Sequence, residues 1–152
     1  KNVCNVSLNN ERFVSGLDLI VCGNDSADLV LYLISADHNL SIGKYTLFIN
    51  KYDANSGALL ANSYNEPMSF SYAVLDCAIA TDFLYPSLVS SPYSIGAVFS
   101  FRSNPHDSLV FLYSLDGGNT FVRQAVDSTD KFFGKVAIAY GRSNAQPNGK
   151  YF

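Results

Sequence analysis

Eleven aspartates, two glutamates, four arginines, two histidines and three cysteines carry whatever proton-transfer, ion-pairing or metal chemistry this chain can perform. A glycosidase needs two carboxylates facing one bond, about 5 Å apart for retention or about 6.5–9.5 Å for inversion. Eleven aspartates permit many such pairs, so that chemistry stays open at this level. The segments NDSAD (24–28) and DSTD (127–130) place oxygen ligands at alternate positions, as hard Ca²⁺ prefers, which makes Asp25, Asp28, Asp127 and Asp130 candidate calcium ligands. Turn-capping by Asp and Ser explains the same residues without an ion, and that is the preferred reading. Cys4, Cys22 and Cys77 lie too far apart for a CxxC site, with only His38 and His106 to help them, so zinc is not expected. Neither G-x-S-x-G nor G-x-x-x-x-G-K-[ST] occurs, and no nucleophile elbow or nucleotide loop is expected.

The elements that must position these groups are strands. The chain is 48% hydrophobic and 14% aromatic but only 15% charged, below the roughly 25% of an ordinary soluble chain. Ten Tyr and eleven Phe among many Val, Ile, Ser and Asn suit pleated sheets joined by polar turns. A net charge of −3 without any Lys/Arg cluster lacks the electrostatic footprint of nucleic-acid binding. No apolar run approaches the roughly 20 residues of a membrane-spanning helix. The opening KNVCNVSLNN lacks a start methionine and the basic-then-apolar character of an export signal, so Lys1 is expected to be a processing boundary. Sequons stand at Asn5, Asn24 and Asn39 and matter only in a eukaryotic secretory route.

Three segments resemble one another: DLIVCGND from Asp18, LDCAIATD around Asp76 and KVAIAYGRS from Lys135. They are spaced by 58 and 59 positions. Each is a short apolar run followed by a polar turn, as expected for a strand buried on both faces. Between them KYTLFINKYDANSGALL aligns with SLVFLYSLDGGNTFVRQAV, with the turn aspartates Asp53 and Asp116 separated by 63 positions. Both read as hairpins. The period predicts one β domain over 1–152, with four-stranded antiparallel units at about 17–63 and 73–126 and an incomplete one at 134–152. The strands fall at 17–24, 28–35, 44–52 and 57–63, then 73–81, 94–101, 108–115 and 119–126. The fold class is all-β, a partial β-propeller, with a β-sandwich of two similar halves as the alternative. Buried free thiols are expected first. A disulfide, if one forms, would join Cys22 to Cys77 in adjacent inner strands and leave Cys4 over. The third unit's inner strand, 134–141, is expected to pair either with 3–6 or with strands of a second polypeptide.

SLDGGNTF (114–121) resembles the Asp-box, or BNR repeat, S-x-D-x-G-x-T-[WF]. Ser114, Asp116, Gly118, Thr120 and Phe121 occupy all five defined positions, while the stretch 51–58 keeps Asp53 and loses the Thr and the aromatic. Asp and Ser/Thr side chains bond to nearby backbone in a tight turn, and Gly permits φ > 0. The resemblance implies a sialidase-like β-propeller in which the box is structural, on an outer hairpin away from the ligand face, with Phe121 buried. It also implies a secreted or surface location.

A sialidase would be expected to show an arginine triad, an Asp acid and a Tyr/Glu pair over six blades. Here Arg12, Arg102, Arg123 and Arg142 are the only arginines, and FRSNP (101–105) resembles that family's F-R-I-P segment without its Ile-Pro pair. Carried over, Arg102 would clamp a substrate carboxylate. As an exposed loop residue it needs no such role, and this is the preferred reading. Antiparallel alternation gathers the loops after strands two and six, and the link between units, on one rim. That rim would hold the candidate ligand residues His38, Glu66, Arg102, His106 and Asp107. The expectation is a non-catalytic Asp-box module that binds a glycan or a protein and belongs with further blades or a second chain. A glycoside-hydrolase fragment and a purely structural or adhesion domain are the alternatives.

Overall fold

A computed structural model describes residues 12–22, 29–39, 43–67, 72–82, 93–103, 107–129, 134–142 and 150–151. Among them every regular element is a strand, and no helix is long and apolar enough to cross a membrane. The first sheet is the antiparallel meander β1 (Arg12–Cys22), β2 (Val30–Asn39), β3 (Lys44–Asp53) and β4 (Leu59–Pro67). The second repeats it with β5 (Tyr72–Thr81), β6 (Ile95–Ser103), β7 (Asp107–Ser114) and β8 (Val122–Thr129). A short ladder joins β9 (Gly141–Arg142) to β10 (Lys150–Tyr151). Each of the eight strands predicted for the two units overlaps an observed one.

The repeat extends to irregularities. The β1–β2 ladder shifts register between Val14 and Gly16, and the β5–β6 ladder shifts between Val74 and Asp76, sixty positions later. Bulges of this kind invert which residues face which side. Counted from them, Leu17, Leu19 and Val21 of the first sheet correspond to Cys77, Ile79 and Thr81 of the second. Following the ladders outward, Leu31 and Leu33 correspond to Ile95 and Ala97, and Phe48 to Val110.

Strand composition explains the layering. The middle strands β2 and β6 run almost continuously apolar, as Leu31 to Ile34 and Ile95 to Phe99 show, and both are buried on their two faces. The outer strands β4 and β8 are polar and largely exposed. The sheets stack through their first strands, with β5 lying along β1 and touching β2 and β3. Tyr32, Ile34, Ala36, Leu47 and Ile49 of the first sheet meet Ile79, Ile95, Ala97, Phe99 and Leu112 of the second in one core. Each fully buried Ile, Leu or Phe contributes about 1.5–3 kcal/mol.

Burial of this kind is non-directional, and two aspartates add directional ties, one between the sheets and one from the second sheet to the segment 134–140. The Asp18 carboxylate accepts the Ile79 N–H at 2.9 Å, and the Asp76 carboxylate accepts the Val136 N–H at 2.9 Å. The spans, 61 and 60 positions, repeat the same device. Gly134 strengthens the second contact by accepting the Ser100 hydroxyl at 3.2 Å. The segment 134–140 thus lies against the far face of the second sheet. It forms no ladder of its own among the described residues, and pairing begins only at β9. The expected partner segment 3–6 lies outside the described residues.

Cys22 and Cys77 meet the first expectation, buried free thiols, and not the alternative of a bridge between them. Cys22 Sγ faces the Thr81 hydroxyl at 3.8 Å. Thr81 sits four residues beyond Cys77, about 13 Å along the strand, which is too far for a bridge. Burial pushes the Cys22 thiol up to about 11 and the Cys77 thiol up to about 12.

Asp18→Ala is expected to lower stability by about 1.5 kcal/mol, the scale of a hydrogen bond to a charged group. Asp18→Asn, which keeps an oxygen acceptor, should cost less than half of that. Urea titration reads both, and a wild-type midpoint for Asp18→Ala would remove the carboxylate as the tie between the sheets.

Candidate functional site

The 114–121 turn is held by its own side chains. The Asp116 carboxylate accepts the Ser114 hydroxyl at 2.7 Å, the Thr120 hydroxyl at 2.6 Å, and the backbone N–H groups of Asn119 and Thr120 at 3.0 and 2.9 Å. Ser114 in turn accepts the Gly118 N–H at 2.8 Å. The Thr120 hydroxyl above all, then its N–H and the Ser114 hydroxyl, hold the Asp116 carboxyl down at about 2. The degenerate turn at 53–58 repeats the scheme in reduced form. Asp53 accepts the N–H groups of Asn55 and Ser56 at 3.0 and 2.6 Å, and the Ser56 backbone bond leads the causes that lower its pKa. Each turn also bonds back to its own sheet, through Ala54 N–H to the Leu29 carbonyl and Gly117 N–H to the Tyr93 carbonyl.

The 114–121 turn of the second sheet rests on the first. Tyr32, fully buried in β2, donates its hydroxyl to the Gly117 carbonyl at 2.6 Å and lies 2.9 Å from the Tyr93 hydroxyl. Burial, then the hydrogen bond with Tyr93, raises the Tyr32 pKa far above its ordinary value. Its ring fills the space a side chain at 118 would need: a Cβ there would fall 2.7 Å from the ring and 3.1 Å from Ile95 Cδ1. Gly118 is also left-handed, with φ of 79°. Phe121 is half-buried rather than sealed in the core, and meets Tyr64 edge-on at 6.0 Å.

The rim residues are distributed as follows. His38 stacks on Tyr45 across the β2–β3 ladder at 4.1 Å, and Arg102 pairs with Asp107 at 3.4 Å across β6–β7. These two pairs occupy corresponding ends of the two sheets. Glu66 accepts the Tyr64 hydroxyl and pairs with Arg123 at 3.3 Å, so it clips β4 to β8. His106, Asp25, Asp28 and Asp130 lie outside the described residues, as does the side chain of Asp127. Among the described residues no three His, Cys, Asp or Glu side chains are placed to hold a metal ion.

No known protein family matches the chain, and neither a curated protein nor a solved structure is similar to it. Its chemistry must therefore be read from how the carboxylates are used. Asp18, Asp76 and the buried Asp82, which accepts the Ser94 N–H at 2.6 Å, each hold a backbone amide. Asp53 and Asp116 close turns, while Asp107 and Glu66 hold arginines. Sequence reasoning missed Tyr32, which belongs to no local motif, and the Asp18–Ile79 bond, which spans 61 positions between two repeated segments.

Gly118→Ala should destabilise by about 2 kcal/mol or more, combining left-handed strain with overlap on Tyr32. Gly57→Ala, with φ of 74° in an exposed turn, should cost only about 1 kcal/mol. Thermal melts compare them, and equal losses would show that Tyr32 leaves room.

Acid should act through the same turn. The folded Asp116 carboxyl ionises below its ordinary 3.8, so its stabilisation is complete above about pH 4 and disappears as pH falls through about 2. Asp53 acts in the same direction. In urea titrations between pH 2 and 6, Asp116→Asn should flatten this part of the profile. An unchanged slope would assign the acid response to other carboxylates.

Proposed function

We propose that the chain is a non-catalytic Asp-box repeat module of a larger β-propeller, secreted or displayed at a surface, and that it binds a glycan or protein through the loop rim. The observation that carries this reading is the use of the carboxylates: seven are committed to backbone amides, turns or arginines that hold the sheets together. A hydrolytic site instead needs two carboxylates free to face a substrate bond. Stacked four-stranded units with first strands side by side support a propeller over a sandwich of two halves, because 134–140 continues the stack in the same direction.

On the rim, the His38–Tyr45 stack offers a flat aromatic surface, and Arg102, half exposed beside Asp107, offers donors. Rings and paired polar groups of this kind suit sugars and polar protein loops. The box stands at the opposite ends of the strands and stabilises the scaffold.

A glycan array probed with the chain should give signals that fall at least tenfold in Arg102→Ala and Tyr45→Ala but persist in Gly57→Ala. Binding untouched by both rim substitutions would move the site elsewhere. Release of fluorophore from a 4-methylumbelliferyl sialoside would replace the module reading with that of a hydrolase.

A further inference from the structure

The face of the first sheet turned away from the second is apolar, and among the described residues its first strand lies exposed. Leu17, Leu19 and Val21 of the edge strand are 59, 52 and 48% exposed, and across the ladder the row continues into Leu31 and Leu33, which are buried, and the half-buried Phe48. Position by position this surface corresponds to the face of the second sheet that is buried in the core, where Cys77, Ile79, Ile95 and Ala97 are each at most 5% exposed. Two polar groups on it match as well. Ile79 has its N–H held by Asp18 of the preceding sheet, and its counterpart Leu19 has its N–H capped, among the described residues, by its own neighbour Asp18 at 2.9 Å. The Gly117 carbonyl receives the preceding sheet's Tyr32, and Ala54 takes the place of Gly117 in the first turn.

We infer that this face is an interface for one more four-stranded unit of the same repeat, stacked ahead of β1, with a carboxylate for the Leu19 N–H and a tyrosine hydroxyl for the Ala54 carbonyl. The occupant is identified by continuity with the interface already inside the chain. Its facing surface must resemble the one that carries Asp18, Tyr32, Ile34 and Ala36 and covers the second sheet. A partner of unrelated chemistry would have no reason to match both hydrogen-bonding groups. The third unit of a second copy fits poorly, because its first strand, GKVAIAYGR over 134–142, carries no carboxylate. This inference rests on the repeat-array part of the proposed function and not on its ligand.

The test adds the missing layer. Residues 12–71 are duplicated in tandem ahead of the full chain, so that a second copy of the first sheet can cover the original one. The extended protein should melt in a single transition about 4 °C or more above the parent, and the Leu19 amide of the receiving strand should become protected from hydrogen exchange. Leu19→Lys in the receiving strand should cancel the gain while leaving the parent's melting unchanged, since Leu19 is exposed there. An added unit that melts separately, stays unfolded, or stabilises equally with Leu19→Lys in place would overturn the inference. So would a parent chain that dimerises by light scattering and is dispersed by Leu19→Lys, which would give the face to a second copy. None of these results alters glycan binding at the rim, so the ligand reading stands or falls separately.

Discussion

A first strand at the edge of a sheet points half of its backbone amides away from its only partner, and covering that edge leaves donors that need acceptors. Asp18 and Asp76 supply them across the gap between successive units. Apolar faces alone would allow the sheets to slide, because packing attraction has little directional preference. A carboxylate aimed at one amide fixes both the offset along the strand and the order of the layers. The bulges at Val14/Gly16 and Val74/Asp76 then decide which side chains each layer presents to the next.

Tyr32 connects this core tie to the periphery. It is buried among apolar residues, so its hydroxyl needs a partner, and the Gly117 carbonyl and Tyr93 hydroxyl are within reach. The 114–121 turn is thereby locked from two directions, by Asp116 within the turn and by Tyr32 from the sheet beneath. The glycine at 118 satisfies both, since the turn needs a left-handed residue and the ring leaves no volume for a side chain. A motif that reads as purely local is shaped in part by its neighbour.

Strand positions were legible because their signal is local. Alternation and Asn/Asp/Gly turns located all eight strands of the two sheets. The ends were less so: β1 begins at Arg12, five residues before the expected start, since Ser15 and Gly16 break the alternation at the bulge. Polar tails such as Asp37 to Asn39 and Asn62 to Glu66 continue their strands through backbone pairing that side-chain type does not report. The box was legible because Asp116, Ser114 and Thr120 bond within six positions of one another. Asp18 to Ile79 and Tyr32 to Gly117 span 61 and 85 positions, and no local pattern encodes them. The cysteine pairing failed for a related reason: similar strands suggested adjacency, while the true stagger sets Cys22 beside Thr81.

The tie between units has a direction. In both instances the carboxylate belongs to the earlier unit and the amide to the later one, and the tyrosine hydroxyl runs the same way. Within a unit each strand pairs with its sequence neighbour, so a meander can close before the next has been made. At about 5–20 residues per second, one period of about sixty residues leaves the ribosome in roughly 3–12 s, long compared with hairpin formation. The order of the ties therefore matches the order of synthesis, with the carboxylate and the hydroxyl in the sheet made first and the amide and the carbonyl in the sheet made second.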